Sequence, residues 1–462
     1  MTTAKRLTRR EWLGGALLGA QLLLLAACGG DDEDDTQEAR AAPTAPQGSV
    51  PQPSKEKEVL TLAMFRRQGP MLEAIRQLNE GRVADVPANI ELQDAELTFS
   101  STGNLETTQD AVAAALSARV SAGTVPDLMV FAWLADFPWL FKSNLLQPLD
   151  RFIQNDANQP LEQFFPQSVK LVRFQGQTMA LPTRVTAGVA QYLPDLFSQA
   201  NIAPPQLGWT RDDFAAAAKQ LTQDTSGDGT VDQWGFGVSH FYADWLPFVM
   251  HETGRDVIDL ETGAVNLTDP AALRGLQYWD DLGRVHKIMR YGQEISSHPP
   301  GIRRPYRASR TGILFQTAFE ISSTGDRESA PIPAGPMAGT PLMLFDVTAI
   351  PAGARDPGLS YSTLVPLALH FGERSRLPTV KTSLEHITTP GSRDHLNLLF
   401  LEHQREVILD ILNNALPSYM ASSNAINSWL LSNLTLPLAR GEVTVEQAAR
   451  QAQNWLQSYI SE

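Results

Sequence analysis

Pro126-Asp127-Leu128-Met129-Val130-Phe131 reads as a short strand buried on both faces, and its upstream context decides how it is used. Before it, Thr107–Val120 has the spacing of a helix, with Thr107 placed as its cap and Gly123 just past its end. Before that, Ile90–Phe99 reads as a strand, Met71–Leu78 as a helix and Val59–Phe65 as a β-rich apolar run. Strand, helix, strand, helix, strand is the order of a parallel sheet with crossover helices, so the fold class is α/β. The pattern continues downstream. Thr210 is placed to cap Arg211–Leu221, with Phe214, Ala217 and Leu221 on one face, and Thr444-Val445-Glu446-Gln447 reads as a capping box opening a last helix.

The chain has 462 residues, enough for two domains that each bury a core. Hydrophobic residues make up 43% and charged residues 19%, the balance of a globular chain. A net charge of −14 excludes nucleic acid as a partner class, because phosphate neutralisation needs a basic surface. The single cysteine, Cys28, excludes internal disulfides and cysteine-ligated metal sites. The eight histidines form no HExxH pair.

Residues 1–27 begin with Lys5, Arg6, Arg9 and Arg10 and continue into an apolar run from Leu13 to Ala27, the layout of an export signal. Leu25-Ala26-Ala27-Cys28-Gly29 resembles the bacterial lipobox, in which the cysteine receives a diacylglyceryl chain. Thr8-Arg9-Arg10-Glu11-Trp12-Leu13 resembles the twin-arginine export signal. Residues 28–57 carry an acidic run, Asp31–Asp35, then Pro43, Pro46, Pro51 and Pro53, and read as a solvated tether. A flexible chain of that length reaches about 30 Å. Removing residues 1–27, which hold four basic residues and one acid, takes the net charge from −14 to −17. Such a body is ill suited to anionic lipid by charge alone, so attachment needs the lipid chain. The expected location is extracytoplasmic, in the periplasm or on the outer cell surface, anchored to the membrane through Cys28.

Several segments together resemble the type 1, sugar-binding branch of the extracellular solute-binding proteins of bacterial ABC importers. They are Val125–Phe131 with Leu145-Leu146-Gln147-Pro148-Leu149-Asp150, Ala180-Leu181-Pro182 with Tyr192–Phe197, and Trp209–Phe214 running into Asp224–Phe236. Thr311–Phe315, Ala349–Gly353, Leu416-Pro417-Ser418 and the last helix follow the same template, so the likeness runs from Val59 to the C-terminus. Two places depart from it: Gln293–Arg310, with Arg303, Arg304, Arg307 and Arg310, and Leu193, where the crossover motif usually has Asn or Asp.

The resemblance implies a two-lobed, type II periplasmic-binding-protein-like fold, each lobe a sheet flanked by helices. The lobes would be 58–184 with 344–418, and 185–343 with 419–462, closing by a hinge on a sugar or oligosaccharide for delivery to permease subunits. Such a protein has no catalytic residues and requires no cofactor. It needs aromatic faces for a sugar ring and polar groups for its hydroxyls. Phe131 and Trp133 stand at the carboxyl end of the apolar strand, where open α/β sheets bind ligands. By resemblance Thr183 and Arg184 lie at the first crossover and Phe345 and Asp346 at the second. Phe241, Tyr242, Trp245, Phe319 and Trp429 occupy positions similar to the family's sugar-stacking sites in the other lobe.

Asp224, Ser226, Asp228, Thr230 and Asp232 place an oxygen donor at every second position, with Gly229 permitting a sharp turn. This is either an EF-hand-like loop for a structural calcium ion, which the family often carries, or a polar turn held by Asx hydrogen bonds. The arginines from Arg303 to Arg310 suit carboxylate or phosphate if they line a cleft, and otherwise form a solvated loop. Two other functions share the anchored architecture. A surface polysaccharide hydrolase needs two carboxylates facing one cleft, which adjacent Asp280-Asp281 do not provide. A sensory lipoprotein presenting a ligand to a receptor needs the same closing cleft as an importer.

Overall fold

The computed structural model describes residues 57–64, 69–95, 105–131, 136–237, 244–259, 261–289, 310–317, 327–337, 340–375, 377–383 and 404–461. The expected export signal, the Cys28 anchor and all but the last residue of the expected tether fall in residues 1–56, outside the described residues.

The first lobe opens with β1 (Glu58–Met64), α1 (Gly69–Asn79), β2 (Ile90–Asp94), α2 (Leu105–Ala122) and β3 (Leu128–Phe131). The strands pair in parallel in the order β2-β1-β3, as the alternating pattern predicts. One expectation is corrected: α2 starts at Leu105, so Thr107 lies inside the helix and does not cap it. Gly123 does follow its end, at φ 65°. The pleat sorts the side chains. Leu60, Leu62, Met64, Leu128 and Val130 enter one core, while Ala63, Met129 and Phe131 enter the core on the opposite face. Both faces are covered by helices, which is why these strands are apolar without alternation. α3 (Phe137–Lys142) packs Phe137, Leu140 and Phe141 on the Phe131 face.

β4 (Leu181–Tyr192) joins the lobes. Its residues Leu181–Ala187 pair with β8 (Pro341–Ala349) in the first lobe, and Gly188–Tyr192 pair with β6 (Arg310–Thr317) in the second. Twelve extended residues span roughly 40 Å, enough to serve two sheets. The path runs β2-β1-β3-β8-β4-β6-β5, where β5 is Gln233–Gly237. β7 (Glu328–Ala330) lies beside β4, and β9 (Leu416–Pro417) beside β8.

The second lobe has one core, from Ala190 through Met289, Ile313–Ile332 and Tyr419–Leu456. α4 (Arg211–Leu221) begins with the predicted cap: Thr210 Oγ1 accepts from the Asp213 amide, and the Asp213 carboxylate accepts from the Thr210 amide. Phe214 on α4 meets Phe236 of β5 edge to face, with centroids 5.1 Å apart. Gly235 permits that approach, since a Cβ there would sit 1.8 Å from the Ala218 carbonyl oxygen. α5 (Leu246–Thr253), α6 (Pro270–Arg284), α8 (Asn424–Leu430) and α9 (Val445–Ser461) complete the lobe. In α9 the Thr444–Gln447 capping box is reciprocal, with bonds of 3.0 and 3.3 Å. No helix among the described residues is long and apolar enough to cross a membrane.

Candidate functional site

Within the first-lobe stretch of β4, its ladder with β8 is irregular twice, and pairing resumes through Ala187 before β4 passes to β6. Leu344 faces Val185, Asp346 faces Arg184 and Val347 faces Pro182. β8 therefore carries one extra residue, Phe345, and β4 carries one extra residue, Thr183. The two bulges compensate, and the register is restored beyond them. A bulge re-aims side chains that a regular strand would send to opposite faces. Here the consequence is specific: consecutive Phe345 and Asp346 both meet Arg184. The guanidinium carbon lies 4.4 Å from the centroid of the Phe345 ring, and Arg184 is ion-paired with the Asp346 carboxylate.

This cluster stands one step beyond the carboxyl end of β3, because Phe131 pairs with Val347 and Val347 with Pro182. The structure thus brings Phe131, Thr183, Arg184, Phe345 and Asp346 to one place, at the carboxyl ends of the parallel strands and on the first-lobe side of the crossing. Asp346 is almost fully buried, while Arg184 keeps 22% of its side chain exposed. The Thr183 hydroxyl is buried without a hydrogen-bond partner among the described residues. The arrangement offers a planar donor, an acceptor and a hydroxyl around one aromatic ring. Its formal charges cancel, so it suits a neutral, polyhydroxylated molecule better than an anion.

The other residues singled out in the sequence fare differently. Trp245 is fully buried in the second-lobe core, its indole N–H donating to Thr435 Oγ1 at 3.2 Å, so its faces are used for packing. Trp429 is half-buried, and Trp455 stacks on it at 4.3 Å with the rings 6° apart. Trp133, Phe241, Tyr242 and Phe319 lie outside the described residues, as do the side chains of Arg303–Arg310.

Two further features join the lobes without having been singled out. Asp256 of the second lobe grips the third crossover. Its carboxylate accepts from the Tyr419 amide at 2.7 Å, the Met420 amide at 3.1 Å and Ser418 Oγ at 3.1 Å. Burial pushes its pKa up to about 6 against the pull of these donors. The Tyr419 hydroxyl then reaches the Lys170 and Arg173 carbonyl oxygens of the first lobe, at 2.5 and 3.0 Å. The second feature is Asp136, at the start of α3. Their partners across the lobe boundary lie more than 160 positions away, so no local spacing signals the joining role of either residue.

In the Asp224–Asp232 loop the carboxylates serve the main chain. Asp224 accepts from the Gly227 amide at 2.7 Å, the Gly229 amide at 2.6 Å and Ser226 Oγ at 3.0 Å. Asp232 accepts from the Thr225 and Ser226 amides at 2.8 and 3.1 Å, and Thr230 donates its amide to Asp228. These bonds hold both Asp224 and Asp232 below the usual carboxyl range. The arrangement is an Asx-bonded turn. Among the described residues no three His, Cys, Asp or Glu side chains are grouped to hold a metal ion.

Comparison with known proteins places the chain. Residues 93–291 match the family described as bacterial extracellular solute-binding protein. Among solved structures the chain is similar to an ABC substrate-binding protein of Listeria monocytogenes in complex with cycloalternan. That match has 15% identity and a TM-score of 0.61, and covers 88% of this chain and 100% of that one. It is also similar to M. tuberculosis UspC, at 19% identity and a TM-score of 0.63 over 87% of this chain and 100% of that one. A third match is the cyclic alpha-maltosyl-1,6-maltose binding protein of Arthrobacter globiformis, at 13% identity and a TM-score of 0.62, covering 87% and 99%. The chain shares the two-lobed fold of these neighbours.

Proposed function

We propose that this protein captures a neutral, carbohydrate-like solute between its lobes and delivers it to the permease of an ABC importer, held at the membrane by a lipid on Cys28. The observation that carries this reading is the double bulge. It collects Thr183, Arg184, Phe345 and Asp346 on two adjacent first-lobe strands, just before β4 passes to the second lobe. A solute seated there that also reaches the second lobe is able to favour closure, because closure is driven only by contacts made in that state. Each desolvated hydroxyl must find a partner, at a cost of about 1–3 kcal/mol if it does not. The Arg184–Asp346 pair and the Thr183 hydroxyl supply donors and acceptors for that purpose.

Three neighbours support the solute class: those solved with cycloalternan, with acarbose and with maltotetraose. Binding without chemistry also fits the carboxylates. Asp280 is paired with Arg284, and Asp281 accepts from Gln277, so this adjacent pair does not face a common cleft.

The test is a thermal-shift screen of the purified chain against neutral oligosaccharides, acidic sugars and sugar phosphates. A neutral oligosaccharide should raise the melting temperature in a concentration-dependent way, and it should be recovered uncleaved. Stabilisation by anionic sugars alone, or cleavage of the glycan, defeats the proposal. The anchor is tested separately. Cys28→Ser should move the protein from the membrane to the soluble extracytoplasmic fraction and abolish labelling by a radioactive fatty acid.

A further inference from the structure

The aromatic edge of the second lobe ends on a carboxylate of the first. Trp429 and Trp455 are stacked, and Tyr459 lies on Trp455 with centroids 5.1 Å apart. The Tyr459 hydroxyl donates to the Asp136 carboxylate, and Ser423 Oγ donates to the same oxygen at 2.9 Å. The other Asp136 oxygen accepts from the Trp139 amide at 3.2 Å and so caps α3. At the far end of α3, Lys142 Nζ donates to the Tyr459 carbonyl oxygen at 2.5 Å and lies 5.1 Å from the Tyr459 ring centroid.

The two sides of this contact belong to different cores. α3 is packed into the first lobe through Phe137, Leu140 and Phe141. Ser423 caps α8, whose Ile426 and Leu430 are in the second-lobe core, and α9 enters the same core through Ala448, Ala452 and Leu456. A rotation of one lobe against the other carries Asp136 and Lys142 one way and Tyr459 the other.

We propose that Asp136 and Lys142 form a clasp on Tyr459 and Ser423 that biases the equilibrium between arrangements of the two lobes. Only contacts that differ between two arrangements can shift their balance, and a buried carboxylate bonded across the lobes is such a contact. Separated from Tyr459 and Ser423, that carboxylate loses two O–H donors. It is deeply desolvated, which holds its pKa above the usual carboxyl range. Charge-assisted hydrogen bonds are about twice as strong as neutral ones, so loss of one should change the ratio of the arrangements by about tenfold. The clasp acts at a distance from the double bulge, through lobe geometry.

The test is a pulsed electron-spin distance measurement on the full chain carrying Cys28→Ser, with spin labels at Asn158→Cys in the first lobe and Lys219→Cys in the second. Both positions are exposed. Tyr459→Phe removes only the O–H and keeps the ring stack. Lys142→Met, which leaves Asp136 in place, is the second variant should the first fail to fold. A redistribution of the distance populations by about tenfold in either variant, with a cooperative melt retained, supports the clasp. Distributions superimposable on the parent overturn it. The measurement needs no solute, so its outcome is independent of the solute class proposed above.

Discussion

Thr183 and Phe345 are the two extra residues in the ladder between β4 and β8, and each compensates for the other. One extra residue on each strand restores the register, while Arg184 lies over the Phe345 ring and pairs with the Asp346 carboxylate. The irregularity is confined to a few residues, with regular first-lobe pairing on either side.

Breaking the Arg184–Asp346 pair should have unequal consequences. Asp346 is nearly fully buried, so Asp346→Ala leaves a guanidinium beside an emptied site and should lower stability by about 3 kcal/mol. Arg184 is partly exposed, and Arg184→Lys should cost less stability yet still weaken solute binding, because an ammonium lacks the planar fork. Denaturant melts and calorimetric titration of each variant with the best solute from the screen separate the two effects. Equal stability losses would contradict the burial argument.

Asp256 should make the protein more stable in acid than its neighbours alone would. Its pKa is raised from 3.8 to about 6, so the folded chain holds the proton more tightly than the unfolded one. The resulting stabilisation is fully present below pH 3.8 and is lost as pH rises through 6. Asp256→Asn stays neutral throughout, so the stability difference from the parent should change by about 3 kcal/mol between pH 4 and pH 8. Urea midpoints across that range measure it.

His370 works in the opposite sense. It lies on α7 (Pro357–Glu373), its Nε2 3.0 Å from Gln77 Oε1 of α1 and its Nδ1 2.8 Å from Arg374 Nη1. Burial, and then the Arg374 charge, lower its pKa from 6.5 to about 4. Its contribution is fully present above pH 6.5 and is lost as pH falls through 4. His370→Gln should remove about 2 kcal/mol of acid sensitivity in that window. An unchanged pH profile would show that the ring is not buried neutral.

The Asp224–Asp232 loop should be indifferent to chelator. Its carboxylates already satisfy the amides of Thr225, Ser226, Gly227 and Gly229. Asp224→Ala should lower the melting temperature, whereas EDTA should leave it unchanged. A rise on adding calcium that EDTA reverses would restore the cation reading.

The sequence alone determined the elements and their class. Alternation of apolar strands with capped helices predicted the parallel order β2-β1-β3, and Thr210 and Thr444 marked two helix starts correctly. Local signals have limits, as Thr107 shows: a favourable capping residue was absorbed into a helix that begins at Leu105. The resemblance also carried Thr183, Arg184, Phe345 and Asp346 to the crossover. Only the tertiary structure decided how those four meet, because paired bulges on strands separated by some 160 residues have no signature along the chain. The same reason hides Asp136, Asp256 and Tyr459. Their burial and bonding are properties of two lobes brought together, and a residue's distant neighbours are set by packing and not by its adjacent residues in sequence.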